Sequence, residues 1–318
     1  MNMRSGFVSI LGRPNAGKST LLNALIGEKI AIVSNKPQTT RTRIRGILEV
    51  PARKGRSAAQ IVFVDTPGVH KAGSQLDKRM MQEVYEALES RDIVILLVDA
   101  SRQGEEDAFA LELIKRLDCP VFLVLNKIDR VLRSKLLPLI EQLSAQHPFA
   151  EVIPISALKD DGLDTLVSKL VEYLPQGERY FPKDQFTDQP ERFMVAELIR
   201  ERILQETGEE VPHAAAVVVE RFEEPEPARG PKLPLTRISA VIYCERDGQK
   251  AILIGKGGAK LKSIGASARK EIESLLGTRV YLELHVIVEQ NWRDSRYFVD
   301  SLDWRKQLED LANKPKPE

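Results

Sequence analysis

Polar and apolar positions fall into two regimes along the chain. Up to residue 174, short β-branched runs alternate with amphipathic stretches, the pattern of β–α units on a largely parallel sheet. Residues 7–11 predict the first strand; Leu21, Leu22, Leu25 and Ile26 mark one face of the helix after it, which Gly27 closes. Residues 44–50 and 61–65 read as paired strands around the basic loop "PARKGRSAAQ". Three near-continuous apolar runs, "IVILLVDA", "VFLVLNK" and "VIPISA", predict strands buried on both faces, each ending where polar residues begin. Ligands of open α/β sheets sit at the carboxyl ends of strands, so those polar ends are where chemistry is expected.

The second regime begins after residues 174–190, where three prolines, mixed charge and weak apolar periodicity predict a linker. A helix is predicted over residues 191–206, with Val195, Leu198, Ile199 and Ile203 on one face. Strands at "AAAVVVERF" and "RISAVIYCE", a glycine loop joining two helical segments, the second over 260–276, and a last strand "RVYLELHVIV" follow, giving the order αββααβ. The expected organisation is an α/β domain over 1–174, a linker over 175–190, an α+β domain over 191–290, and a C-terminal helix fraying into a polar tail over 291–318.

The polar strand ends carry a consistent set of motifs. Gly12-Arg13-Pro14-Asn15-Ala16-Gly17-Lys18-Ser19 lies between a strand and a helix, so its backbone N–H groups and the helix N-terminus form a cradle for phosphates. Gly17 permits close backbone approach, Lys18 is expected on the β- and γ-phosphates, the Ser19 hydroxyl on Mg²⁺, and Thr20 beside it at the nucleotide. In Asp65-Thr66-Pro67-Gly68 the aspartate is expected at the metal and the Gly68 N–H at the γ-phosphate. Asn126-Lys127-Ile128-Asp129 offers a carboxylate to the N1–H and 2-amino groups of guanine, which adenine lacks; Asn126 ties the strand to the phosphate loop and the Lys127 stem covers the base. Ser156-Ala157 is expected to bring a backbone N–H to guanine O6. Together the four motifs predict binding of GTP and GDP.

Two points bear on hydrolysis. The segment "SNKPQTTRTRIRG" carries Lys36, Arg41, Arg43 and Arg45 without an acid; it reads as a switch that supplies a threonine hydroxyl to the metal, and spacing leaves Thr39, Thr40 and Thr42 all open. Most of its arginines are expected to be solvated. After Gly68 stands Val69, which cannot hydrogen-bond a water where Ras-like proteins place a glutamine. Asn15 either shapes the turn or offers its side-chain oxygen to a monovalent cation such as K⁺.

Composition narrows the rest. At 318 residues the chain can bury two cores, and 42% hydrophobic with 29% charged residues is ordinary for a globular protein. The net charge of +1 conceals a local excess: residues 246–270 hold seven Lys or Arg against one acid, Asp247. In that stretch Ile254-Gly255-Lys256-Gly257-Gly258 matches the GxxG loop of KH domains, which clamps the backbone of about four nucleotides. Lys260 and Lys262 add charge; Ile252, Leu253, Ile254, Leu261 and Ile264 are expected to line a groove for unstacked bases. The αββααβ order indicates the type II arrangement. Cys119 and Cys244 are isolated, as in a reducing cytosol without a structural metal. No apolar run approaches the roughly 18 residues of a membrane span, and "MNMRSGFVSILGRPNAGKS" runs straight into the first motif, so a cytoplasmic monomer without a leader is expected.

On "GRPNAGKSTLLNALIG", "PQTTRTRIRGI", "FVDTPGVH", "NKID", "SA" and "ILIGKGGAKLKSIG", the chain resembles the Era family, bacterial GTPases with a C-terminal KH domain. The resemblance implies that Thr40 is the switch threonine and that Val69 belongs with GTPases carrying a hydrophobic residue in place of the catalytic glutamine. It also implies binding of the 3′ end of 16S rRNA and action in 30S subunit assembly, with some members peripheral at the inner membrane face. An alternative of another class is a GTP-sensing RNA-binding placeholder with negligible hydrolysis. The basic turn "VPARKGRSAAQ" departs from the family and is either a variable turn or an extra RNA contact.

Overall fold

The computed structural model describes residues 3–69, 73–208, 210–224 and 234–312. The expected tail beyond 312 and the segment 70–72 lie outside them. Two compact units divide the chain, one of residues up to 72 with 80–188, the other of 73–79 with 189 onward.

The first unit is built from β1 (Arg4–Leu11), α1 (Lys18–Ile26), β2 (Ile44–Val50), β3 (Ala59–Asp65), the part of α2 (Gln75–Glu89) from residue 80 on, β4 (Ile93–Asp99), α3 (Glu105–Ile114), β5 (Val121–Asn126), α4 (Arg133–Ser144), β6 (Glu151–Pro154) and α5 (Leu163–Tyr173). Its six strands run β2-β3-β1-β4-β5-β6; only β2 is antiparallel to its neighbour. Every residue of β3, β4 and β5 is buried, which is why those segments read as unbroken apolar runs rather than alternating ones. Each fully buried Leu or Ile there contributes about 1.5–3 kcal/mol from apolar burial. Strand order reverses at β1, so the turn leaving β1 opens into the crevice where such sheets bind ligands. The "PARKGRSAAQ" segment closes as a tight hairpin, with Arg53 and Arg56 exchanging backbone hydrogen bonds at 3.0 Å each.

Residues 175–188, expected as a plain linker, are instead stitched along the edge of the first sheet. Thr187 pairs with Gly46 of β2, the Ile47 N–H donates to the Phe186 carbonyl at 2.8 Å, and Arg45 pairs with Asp188 at 2.9 Å. The Gln60 amide bonds the backbone of Tyr180 and Phe181, and Arg179 pairs with Glu49. This strap satisfies part of the open edge of β2, the liability of any edge strand.

The second unit contains α6 (Glu191–Glu206), α7 (Glu210–Ala214), β7 (Ala216–Glu223), β8 (Leu235–Cys244), α8 (Asp247–Ile254), α9 (Ala259–Leu276), β9 (Arg279–Val288), α10 (Arg296–Ser301) and α11 (Trp304–Ala312). Its sheet runs β7-β8-β9, with β8 antiparallel to β7 and parallel to β9. The core joins Val195, Ile199 and Ile203 of α6 to Ile238, Ala240 and Ile242 of β8 and Ile264, Ala268 and Ile272 of α9. The αββααβ frame is present, with α7 as an added short turn. In the switch segment, Arg43 and Arg45 are not solvated but half-buried in ion pairs, Arg43 with Glu83 and Glu86 of α2.

Candidate functional site

The phosphate loop leaves β1 and enters α1 at Lys18. Gly17 sits at φ 102°, and a Cβ there would lie 2.4 Å from the Asn126 side-chain nitrogen, so only glycine lets the base-reading strand close on the loop. Asn126 donates to the Ala16 carbonyl at 2.9 Å and accepts from the N–H groups of Lys127 and Ala157 at 2.8 and 3.0 Å. The Lys18 ammonium is buried and donates to the carbonyls of Gly12 and Arg13 at 3.0 Å each. Burial lowers its pKa to about 8, Asp65 opposing the shift and Arg13 adding to it.

The candidate metal ligands converge. The Ser19 hydroxyl lies 2.9 Å from that of Thr40 and donates to Asp65 Oδ2 at 2.7 Å; Thr40 donates to the same oxygen at 3.2 Å. Asp65 Oδ1 is buried without a hydrogen-bond partner, and burial pushes the carboxyl up against the pull of Lys18, Ser19 and Thr40. Two hydroxyls beside an orphaned carboxylate oxygen form a hard, all-oxygen donor set that fits Mg²⁺. Among the three threonines left open by spacing, Thr40 stands here, whereas the Thr39 hydroxyl donates to the Lys36 carbonyl at 2.7 Å. Thr66 locks the end of β3 to β1 through the Ile10 carbonyl at 2.8 Å, carrying Pro67 and Gly68 to the loop. Pro14, Asn15, Gly17, Lys18, Thr40 and Gly68 are among the residues lining one cavity, with Thr20 on its wall.

Val69 is fully buried in the core beside Leu11 and Met81, so its side chain cannot reach a water over the phosphates. The Asn15 amide nitrogen donates to the Asn35 carbonyl of the switch at 2.8 Å, which leaves Oδ1 as the acceptor end of that side chain. In the base-reading loop, Asp129 is exposed and its carboxylate accepts from Ser156 Oγ at 2.6 Å. The Ala157 N–H expected at guanine O6 is engaged by Asn126 Oδ1.

In the second unit Gly255 has φ 70°, and a Cβ there would meet Lys260 Cβ at 2.6 Å, so the turn into Lys256, Gly257 and Gly258 requires glycine. A groove of about 470 Å³ lies beside it, lined by Gly258, Leu261, Lys262, Arg269, Leu282 and Leu284, among others. Three expectations change. Leu253 and Ile264 are fully buried core residues rather than groove wall. The Lys260 ammonium donates to the Glu206 carbonyl at 3.0 Å, capping the end of α6. The far wall of the groove comes from Leu282 and Leu284, alternate residues of β9, which sequence reading missed because it built the groove only from residues flanking the glycines.

Comparison with known proteins converges on the same reading. A family model described as a 50S ribosome-binding GTPase matches residues 7–127, and one described as a KH domain matches residues 210–293. A crystal structure of a point variant of Era from Aquifex aeolicus, bound to GDP and aluminium fluoride, is 39% identical, with a TM-score of 0.87 over 95% of this chain and 99% of that one. A structure of Era in complex with MgGDPNP and nucleotides 1506–1542 of 16S ribosomal RNA is also 39% identical, with a TM-score of 0.88 and the same coverage. Among the described residues no helix is long and apolar enough to cross a membrane. At that identity over nearly the whole length of both chains, with the four nucleotide motifs at the carboxyl ends of strands of one sheet and a GxxG turn in the second unit, the chain is a GTPase of the Era family.

Proposed function

We propose that this GTPase binds 16S rRNA through its KH domain and acts in 16S rRNA processing and assembly of the 30S subunit, as a cytoplasmic monomer whose nucleotide state sets its RNA affinity. The observation that carries the RNA half is the glycine turn at Gly255–Gly258 opening onto a groove edged by Lys262 and Arg269. A turn without side-chain bulk admits the phosphate backbone, cations hold it, and Leu261, Leu282 and Leu284 offer an apolar floor to unstacked bases. The similar Era bound to a 16S rRNA fragment supports the choice of RNA. Binding of a short RNA matching the 3′ end of 16S rRNA is the test, run with GDP and with a non-hydrolysable GTP analogue. Tighter binding with the analogue, weakened about tenfold by Lys262→Glu without a change in hydrolysis, is the expected result. No binding above a scrambled RNA removes the ribosomal assignment.

Hydrolysis follows from positioning and charge. Ser19, Thr40 and Asp65 would hold Mg²⁺, which supplies charge neutralisation at the β- and γ-phosphate oxygens. Water attacks the γ-phosphorus in line and the bond to the bridging oxygen breaks, while Lys18 and the loop N–H groups stabilise the charge gathering on the phosphates. With Val69 in the core, the side chain after Gly68 does not orient that water. Asn15 Oδ1, aimed by the hydrogen bond to Asn35, is the candidate ligand for K⁺ over the phosphates. Single-turnover hydrolysis is expected to run about tenfold or more faster in K⁺ than in Na⁺, and Asn15→Ala to lose the difference. Negligible turnover in both salts favours the placeholder reading.

A further inference from the structure

Four charged side chains outside the nucleotide motifs' usual roles meet at the ends of β4 and β5. Asp99, the last residue of β4, is 5% exposed. Its Oδ2 accepts from the Lys127 ammonium at 2.7 Å and lies 3.4 Å from the Arg13 guanidinium, while its Oδ1 accepts from the N–H and hydroxyl of Ser101 at 2.9 and 2.6 Å. Lys127 spends a second donor on the Asn15 carbonyl of the phosphate loop, at 2.6 Å. Arg13 reaches Asp107 at 3.3 Å and the Arg102 carbonyl at 2.8 Å. Two cations and two carboxylates thus balance in a cluster whose Arg13, Asp99 and Asp107 are buried and whose Lys127 is partly exposed.

Lys127 is the part of this cluster under most constraint. It holds φ 65°, a left-handed conformation costly for a long side chain, at the point where β5 turns into the base-reading loop. An ammonium on a flexible stem has many rotamers, and only an anion at a fixed place holds it against one carbonyl. Asp99 is that anion, itself locked by Ser101 and by its place at the end of a buried strand. Burial works to raise the Asp99 carboxyl, and the Lys127 and Ser101 contacts outweigh it and hold it below the usual carboxylate range, so it stays charged at neutral pH.

We infer that Asp99 is a positioning residue for nucleotide retention: it pins Lys127 across the phosphate loop, so that the base-reading loop and the phosphate cradle are registered to one another before nucleotide arrives. Arg13 and Asp107 form the other half of the cluster and serve a different end. Asp107 accepts from the Gly104 N–H at 3.0 Å at the start of α3, so it fixes the helix rather than the base loop. The inference rests on the assignment of Asn126–Asp129 to guanine.

The test compares release of a fluorescent GDP analogue with steady-state GTP hydrolysis. Asp99→Asn is expected to speed release and raise KM by about tenfold while kcat stays within about twofold, because the loss falls on binding shared by ground and transition states. Asp107→Asn, which lowers Tm, is expected to leave release within about twofold of wild type. In a Lys127→Ala background Asp99→Asn is expected to add less than about twofold, since its effect passes through Lys127. Ser101→Ala, a milder change that frees the Asp99 carboxylate, is expected to speed release about threefold and covers the case in which Asp99→Asn does not fold. Wild-type release in both Asp99→Asn and Ser101→Ala, or equal acceleration by Asp107→Asn, overturns the assignment. An Asp129→Asn arm separates the two failures: if it does not weaken GTP binding, the guanine reading is at fault; if it does and Asp99→Asn is silent, only the present inference falls.

Discussion

Asp129→Asn is expected to lower GTP affinity by about 10³-fold and to move the preference of the site to xanthosine triphosphate. The Asp129 carboxylate is held in place by Ser156 Oγ at 2.6 Å and faces outward at the start of the turn after β5. Guanine presents two donors on one edge, N1–H and the 2-amino group, and an anion with two oxygens is their natural complement. Asparagine keeps the shape and turns one oxygen into an NH₂, so a donor then faces the 2-amino donor and a charge-assisted bond is lost. Xanthine carries a carbonyl at that position, and the asparagine NH₂ can donate to it. Competition between the two triphosphates for the variant measures the exchange directly. An unchanged GTP preference would falsify the placement of Asp129 at the base.

Much of this site could be read from the chain because its chemistry follows strand ends. β4 and β5 are buried on both faces, so their apolar runs stop where Asp99 and Asn126 reach the crevice. The Lys18–Ser19 pair and Asp65 were legible for the same reason. The choice of Thr40 came from family likeness, since Thr39, Thr40 and Thr42 share one loop and only the fold shows which hydroxyl reaches Ser19. Two features left no periodic signal. The strap at residues 186–188 is held to β2 partly by main-chain hydrogen bonds, which impose no side-chain pattern, and so it read as a linker. The Arg13–Asp99–Asp107 contacts join residues far apart in sequence, and each alone looks like an ordinary surface charge. In the KH unit, the run Ile252-Leu253-Ile254 read as groove wall throughout. The helix phase of α8 divides it by burying Leu253 and leaving Ile252 exposed.

Lys18→Ala is expected to reduce GTP turnover by about 10³-fold and to weaken nucleotide binding with it, because its ammonium is buried inside the phosphate loop against the Gly12 and Arg13 carbonyls, where the phosphates would sit. The same residue gives the site a dependence on pH whose sign follows from its burial. Without nucleotide, desolvation lowers the Lys18 pKa to about 8, so the ammonium begins to lose its proton just above neutrality. A bound polyphosphate favours the charged form and carries the pKa back toward the ordinary lysine range. Binding therefore takes up a proton wherever the free protein has lost it: uptake is near zero at about pH 7 and approaches one proton at about pH 9. Affinity for Mg²⁺–GDP must then fall as pH rises through that window, by up to about tenfold per pH unit, and stay flat below it with respect to this group. Calorimetric titrations in buffers of different ionisation enthalpy count the protons. Proton release at high pH, or affinity that rises from neutrality upward, contradicts a lysine whose pKa is lowered by burial and restored by phosphate.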